Sequence, residues 1–252
     1  MKKEYTYILI AYVAMQFSFI IGQPLVYQIG IKLFHQSAQT MKVMTSPIWI
    51  VISFILGLIV ILFMLSKSER KEFNRVAPLP VSQSIAWAIG GIFLTFLAQY
   101  VAIMIETLLG IQQGSQNTER ILTLITKFPL VILVSSIVGP ILEEIVFRKI
   151  IFGSLRKRFS FFISGLISSI IFGLAHQEIP HLLLYTLLGF TLAFLYERTK
   201  RITVSMFAHV TMNTIVVISQ FAQPTMEHAA QNHNVYRIIG GFIYETTSFW
   251  FN

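Results

Sequence analysis

The 252-residue chain contains no cysteine. That excludes thiol nucleophiles, disulfides, thiolate metal sites and palmitoyl anchors, so any chemistry must come from Glu, His, Asn, Ser or Tyr. Charge is scarce as well. Asp, Glu, Lys and Arg make up 12% of the residues against 55% hydrophobic ones, far from the roughly 25% charged residues of an average soluble domain. With a mean hydropathy of +0.70, a water-soluble globule would have too little polar surface to cover itself. Internal repeats are also lacking, and the one clearly hydrophilic internal stretch, residues 66–75, reads as a linker.

What the chain does have is long uncharged runs: Tyr5–Ile31, Val43–Ser66, Val76–Ile105, Phe159–Gln177, Ile179–Tyr196 and Ile202–Met226. Each approaches or exceeds the roughly 20 residues that cross a hydrocarbon core. A seventh apolar run, Phe128–Leu155, carries Glu143, Glu144, Arg148 and Lys149. The fold class expected is therefore all-α, a polytopic transmembrane helical bundle of seven spans. An eighth in the tail is the alternative, where Arg237 and Glu245 bracket the short run Ile238–Tyr244. The first run, after Lys2 and Lys3, is too long for a signal-peptide core and reads as a membrane helix.

Basic residues gather on the cytoplasmic side of membrane proteins. With the N-terminus cytoplasmic, the inner segments hold 14 of the 19 Lys and Arg, and the outer ones only Lys32, Lys42, Arg120, Lys127 and Arg237. The net charge of +8 is then a topology signal and an attraction to anionic headgroups, not a nucleic-acid footprint. The lipid bilayer is the expected partner, and a bacterial plasma membrane the expected location.

An ionisable side chain at bilayer depth costs about 2.5 to 3.5 kcal/mol on insertion scales, so it needs a partner or a task. On a helix, Glu144 and Arg148 lie one turn apart on one face, whereas Glu143 points about 100° away. Glu144 can pair with Arg148 and leave Glu143 free to accept a proton from water. Gly139-Pro140, just upstream, should kink the helix and free a backbone carbonyl. The plain alternative is a cluster solvated at the cytoplasmic end of its span.

Two other runs carry polar groups at helical spacing: His176, four residues after Phe172, and His209 with Asn213. Polar groups on three helices in lipid have a common reason to converge, since each needs the others as partners. Straight helices at about 1.5 Å per residue would spread Glu143, His176, His209 and Asn213 over roughly 15 Å of depth; tilt, or a start of the span nearer Ser164 with Phe159–Ile163 along the interface, would narrow that spread. Ser135, Ser136, Ser168 and Ser169 read as small residues that let helices approach, and Gln16 and Gln99 as interhelical bonds. The three tryptophans, Trp49, Trp87 and Trp250, read as interfacial or packing residues. His181, His228 and His233 receive no role.

Glu143-Glu144-Ile-Val-Phe-Arg148, Phe172-Gly-Leu-Ala-His176 and His209-Val-Thr-Met-Asn213 match Glu-Glu-x-x-x-Arg, Phe-x-x-x-His and His-x-x-x-Asn motifs in that order. Over residues 125–222 the chain resembles the CPBP (Abi) family of intramembrane proteases, the CAAX proteases and bacteriocin-processing enzymes related to the eukaryotic prenyl-protein endopeptidase. The resemblance divides the chain into a three-helix membrane region (1–120), a catalytic core of spans four to seven (121–222) and a tail or eighth helix (223–252). It implies peptide-bond hydrolysis in the membrane, on a membrane-associated peptide or protein tail. Glu143 and His176 would activate water, and His209 and Asn213 would stabilise the oxyanion. Glu144, Arg148 and Phe172 would hold the site and tune its field.

Metal is a fork. Glu143, His176 and His209 form a His2Glu set such as catalytic zinc sites use, with Glu144 then the base. Members of the family are described both as metalloproteases and as glutamate-dependent enzymes. The absence of a one-helix His-Glu-x-x-His spacing, and Asn213 as a donor rather than a zinc ligand, favour a metal-free site with no cofactor. Two rival functions use the same residues: a non-catalytic scaffold, immunity or regulatory protein, and a proton-coupled transporter with Glu143 as carrier. The second is weakened by the lack of paired broken helices.

Overall fold

A computed structural model describes residues 3–69, 77–112 and 114–232. The proposed eighth helix around Ile238–Tyr244, Trp250, and most of the 66–75 linker lie outside these residues. Among the described residues the chain is entirely helical, with no strand. Long apolar segments offer few side-chain partners to the backbone, and a helix satisfies its N–H and C=O groups internally. The elements are α1 (Lys3–Phe17), α2 (Phe19–Lys32), α3 (Ala38–Glu69), α4 (Val81–Leu108), α5 (Gln116–Lys127), α6 (residues 131–155), α7 (Phe161–Ala175), α8 (Leu182–Thr199) and α9 (Ile202–Asn232).

Helices α3, α4 and α9 are each long and apolar enough to cross a membrane, and α1 with α2 makes a fourth such unit bent by 47°. The expected single helix over Tyr5–Ile31 is therefore broken. Ser18 causes the break. Its hydroxyl donates to Met15 O at 2.6 Å and accepts from Trp49 Nε1 at 3.1 Å, while its N–H also reaches Met15 O. The last turn of α1 is thus tightened and pinned to α3. Trp49 and Trp87 are packing residues here, Trp87 meeting Phe194 edge-on at 5.7 Å. The helix formed by the run Phe159–Gln177 is shorter than expected, at 15 residues.

Helix α6 contains two widened turns in which N–H groups reach five residues back, at Val134–Val138 and Glu144–Phe152. The first has a visible cause. Pro140 has no N–H to offer its own turn, and the chain before it loosens so that Gly139 N–H bonds Val134 O. A Cβ at Gly139 would meet that carbonyl at 3.0 Å. The kink expected from Gly139-Pro140 takes this form.

Around α6 the other elements assemble. Helix α9 packs on α4, α6 and α8; α8 packs on α7 and α4; α1 lies on α3 and touches α6. The main core joins Ile8 and Tyr12 of α1, Leu142, Ile145 and Phe147 of α6, Phe172 of α7, Leu192 of α8 and Met212 of α9. Helices α7 and α8 approach through small residues: a Cβ on Gly189 would sit 3.0 Å from Ser169 Cβ and 3.2 Å from Phe172 Cδ1. At one end, Arg201 Nε donates to Leu79 O at 3.0 Å and Leu79 N–H to Thr199 O at 3.1 Å, which ties the start of α4 to the α8–α9 turn.

Candidate active site

Helix α6 presents Glu143 and Glu144 from adjacent positions, and they diverge as the helical arc requires. Glu144 is fully buried, with Arg148 Nε at 3.4 Å. The guanidinium carbon also sits 4.1 Å above the Phe172 ring centroid, so its charge is shared between a carboxylate and a π face. Glu143 retains 22% exposure.

Helix α9 brings His209 to both glutamates. Its Nδ1 lies 2.9 Å from Glu144 Oε1, and its Nε2 lies 3.7 Å from Glu143 Oε2. A carboxylate can only accept, so Nδ1 carries a hydrogen and donates to Glu144. The Nε2–Glu143 gap is too long for a direct hydrogen bond. One turn further along α9, Asn213 Nδ2 donates to Ser135 O of α6 at 3.3 Å, and the amide keeps a second hydrogen.

Helix α7 ends at the site. His176 is its C-terminal cap, and Nδ1 lies 2.8 Å from the Phe172 carbonyl. That carbonyl can only accept, so the ring is protonated at Nδ1 and Nε2 keeps a basic lone pair. Phe172 links the parts. Its ring is 4.6 Å from that of His176, 6.0 Å from that of His209 and 5.2 Å from that of Phe147, all edge-on. Glu143 and His209 both act electrostatically on His176. His176 and His209, selected from two separate runs, thus flank Phe172, and His209 in turn approaches both glutamates. Among the described residues, no three His, Asp or Glu side chains stand close enough together to form a metal-ligand set.

Three features escape sequence reasoning. Tyr12 of α1 is hydrogen-bonded to Gln16 and lies within the electrostatic field of Glu143; nothing in an apolar first helix announces it. Tyr185 of α8 stacks on His176 with centroids 4.0 Å apart and planes 21° from parallel. His181, given no role from sequence, sits between Glu106 Oε2, 2.8 Å from Nδ1, and Gly114 O, 3.0 Å from Nε2. Glu106 at the end of α4 was a legible signal, a carboxylate closing an apolar run.

Spanning-length apolar helices around buried carboxylate, imidazole and guanidinium groups define a multi-pass protein of the cell membrane, and the comparisons with known proteins give it a family. Residues 125–215 match the family described as type II CAAX prenyl endopeptidase Rce1-like. The chain is 46% identical to the Bacillus subtilis (strain 168) protein named "Putative membrane peptidase YdiL", over 96% of this chain and 99% of that one. It is 36% identical to "Membrane-embedded CAAX protease MroQ" of Staphylococcus aureus (strain USA300), over 63% of this chain and 68% of that one. No solved structure matches it. The chain belongs to the Rce1-like CAAX prenyl endopeptidase family and is a membrane protease.

Proposed function

We propose that the protein is an intramembrane endopeptidase of a bacterial plasma membrane, with Glu143 as general base, that cuts a peptide bond in a membrane-associated peptide or protein tail. The observation that carries this reading is the 3.7 Å separation of Glu143 Oε2 and His209 Nε2. Such a spacing suits two groups that share one water. Glu143 takes a proton from that water as its oxygen attacks the scissile carbonyl, whose π electrons move onto oxygen. The intermediate collapses when the amine leaves with a returned proton, and His176 Nε2 is a second acceptor for the same traffic.

The oxyanion is met by the spare amide hydrogen of Asn213 and by His209. Because Nδ1 of His209 already donates to Glu144, its Nε2 can donate only when the ring is an imidazolium, and the Glu144 carboxylate balances that charge. Arg148 in turn balances Glu144. No step is routed through a metal: Glu144, the base of the zinc alternative, is engaged by His209 and Arg148. Seven crossings with the N-terminus in the cytoplasm belong to the same reading and rest on the distribution of the 19 basic residues.

The test uses protein purified into bacterial-lipid vesicles and intramolecularly quenched peptides, some prenylated at a C-terminal CAAX cysteine and some bare. Glu143→Gln, His176→Ala and His209→Ala each lower cleavage by about 10²- to 10⁴-fold while remaining folded, and a chelator leaves the rate unchanged. Full biological activity in all three variants would instead identify a scaffold or regulatory protein.

A further inference from the structure

His176 sits where α7 stops, and the next residue, Gln177, turns out of the helix with φ of +59°. Its hydrogen bond, from Nδ1 to Phe172 O, lies within its own turn and does not by itself fix the plane of the ring. The flat face of the ring is covered by Tyr185, whose plane is 21° from parallel at 4.0 Å.

Tyr185 is itself held. Its hydroxyl donates to Glu178 Oε2 at 2.6 Å, and Glu178 also accepts from Ser115 Oγ and from Asn117 N–H, each at 2.8 Å. Ser115 caps α5 through Thr118 N–H at 3.1 Å. One carboxylate therefore joins the turn that follows His176, the first turns of α8 and the start of α5. A second staple runs alongside, where Glu106 accepts from Leu184 N–H at 3.0 Å and meets His181 Nδ1 at 2.8 Å.

We propose that Tyr185, anchored by Glu178, is a positioning residue that sets the plane of the His176 ring. This rests on the reading of His176 as a proton acceptor in the site. The stack fixes the tilt of the imidazole and the carboxylate fixes the stack. A ring free to swing would take Nε2 out of line with the water, and a displacement of about 1 Å in a reacting group costs up to about a hundredfold in rate.

The experiment compares kcat and KM of Tyr185→Leu, Tyr185→Phe, Glu178→Gln and the Tyr185→Phe/Glu178→Gln double variant in vesicles, on a quenched peptide cleaved by the wild type, with His176→Ala as reference. Tyr185→Leu lowers kcat about tenfold to a hundredfold with KM within about threefold. Tyr185→Phe, which keeps the ring but loses its anchor, lowers kcat by less than Tyr185→Leu and about as much as Glu178→Gln. The double variant is no slower than the slower single, because both substitutions cut one link. Wild-type kcat in Tyr185→Leu beside an inactive His176→Ala overturns the proposal and leaves the protease reading intact. Full activity in His176→Ala overturns the protease reading itself. If Tyr185→Leu does not fold, the other two single variants decide: wild-type kcat in both overturns the proposal, and equal partial losses sustain it.

Discussion

The buried hydroxyls of α3 and α4 and the buried Glu144 of α6 find their hydrogen bonds in opposite ways. Thr45 donates to Met41 O at 2.7 Å, Ser53 to Ile50 O at 3.2 Å and Thr95 to Ile92 O at 2.7 Å, each within its own turn. Glu144, by contrast, is met by His209 from another helix. A hydroxyl can donate to a carbonyl its own helix already displays. A carboxylate cannot, because it only accepts and the helical N–H groups are already spent; Glu144 has the Arg148 cation one turn along its own helix and takes its hydrogen bond from another. Glu106 obeys the same rule from the end of α4, reaching across to His181 and Leu184 N–H. Hydroxyls place no demand on a neighbouring helix, whereas carboxylates dictate which residue the neighbour must bring.

That contrast can be tested by substitution. Arg148→Met leaves the Glu144 carboxylate buried without its cation and should cost about 3–5 kcal/mol, read as a lowered thermal midpoint in detergent together with lost activity. Gly189→Val, on the close seam of α7 and α8, should cost about 1–3 kcal/mol by overpacking. It should also reduce cleavage, because its Cβ presses on Phe172. Wild-type stability in that variant would mean the seam has slack.

The Glu178 link supplies a smaller, pH-dependent effect. Burial opposes its ionisation, but hydrogen bonds from Tyr185, Asn117 N–H and Ser115 outweigh it and hold the carboxyl below its usual 4.5. Such a group stabilises the fold above the unfolded-state value, and the benefit is lost as pH falls through the folded one. At pH 7 the wild type should therefore exceed Glu178→Gln in stability by about 1 kcal/mol, with the gap closing below pH 4.5. A gap that instead widened in acid would exclude the carboxylate as its source. Least of all, Thr95→Val should change stability by about 0.6 kcal/mol or less, since Ile92 O keeps its helical partner.

Polar and charged groups stand out against an apolar background, which is why Glu143, Glu144, Arg148, His176, His209 and Asn213 could be singled out from spacing together with the family resemblance. The 144–148 pairing follows from helical arc. Other features depended on geometry that residue types do not encode. Ser135 reads as a small packing residue, yet its carbonyl, a group every residue has, receives Asn213. The break at Ser18 depends on Trp49 arriving from α3. Tyr185 lies among leucines in an apolar run, and only the fold brings it against His176. In α6, Gly139-Pro140 signals the first loosened turn, whereas the residues of 144–152 give no sign of the second.

Those loosened turns have a consequence for how length acts inside a spanning rod. Each accommodates one residue more than a regular coil would, so the bearing of the acids relative to the two imidazoles depends on residue number as well as residue identity. Deleting a single position between 144 and 152 would tighten the coil and rotate the acidic pair against everything that follows, with no side chain exchanged near the imidazoles. Single-residue gain or loss there would change the direction in which the two acids point without exchanging either of them.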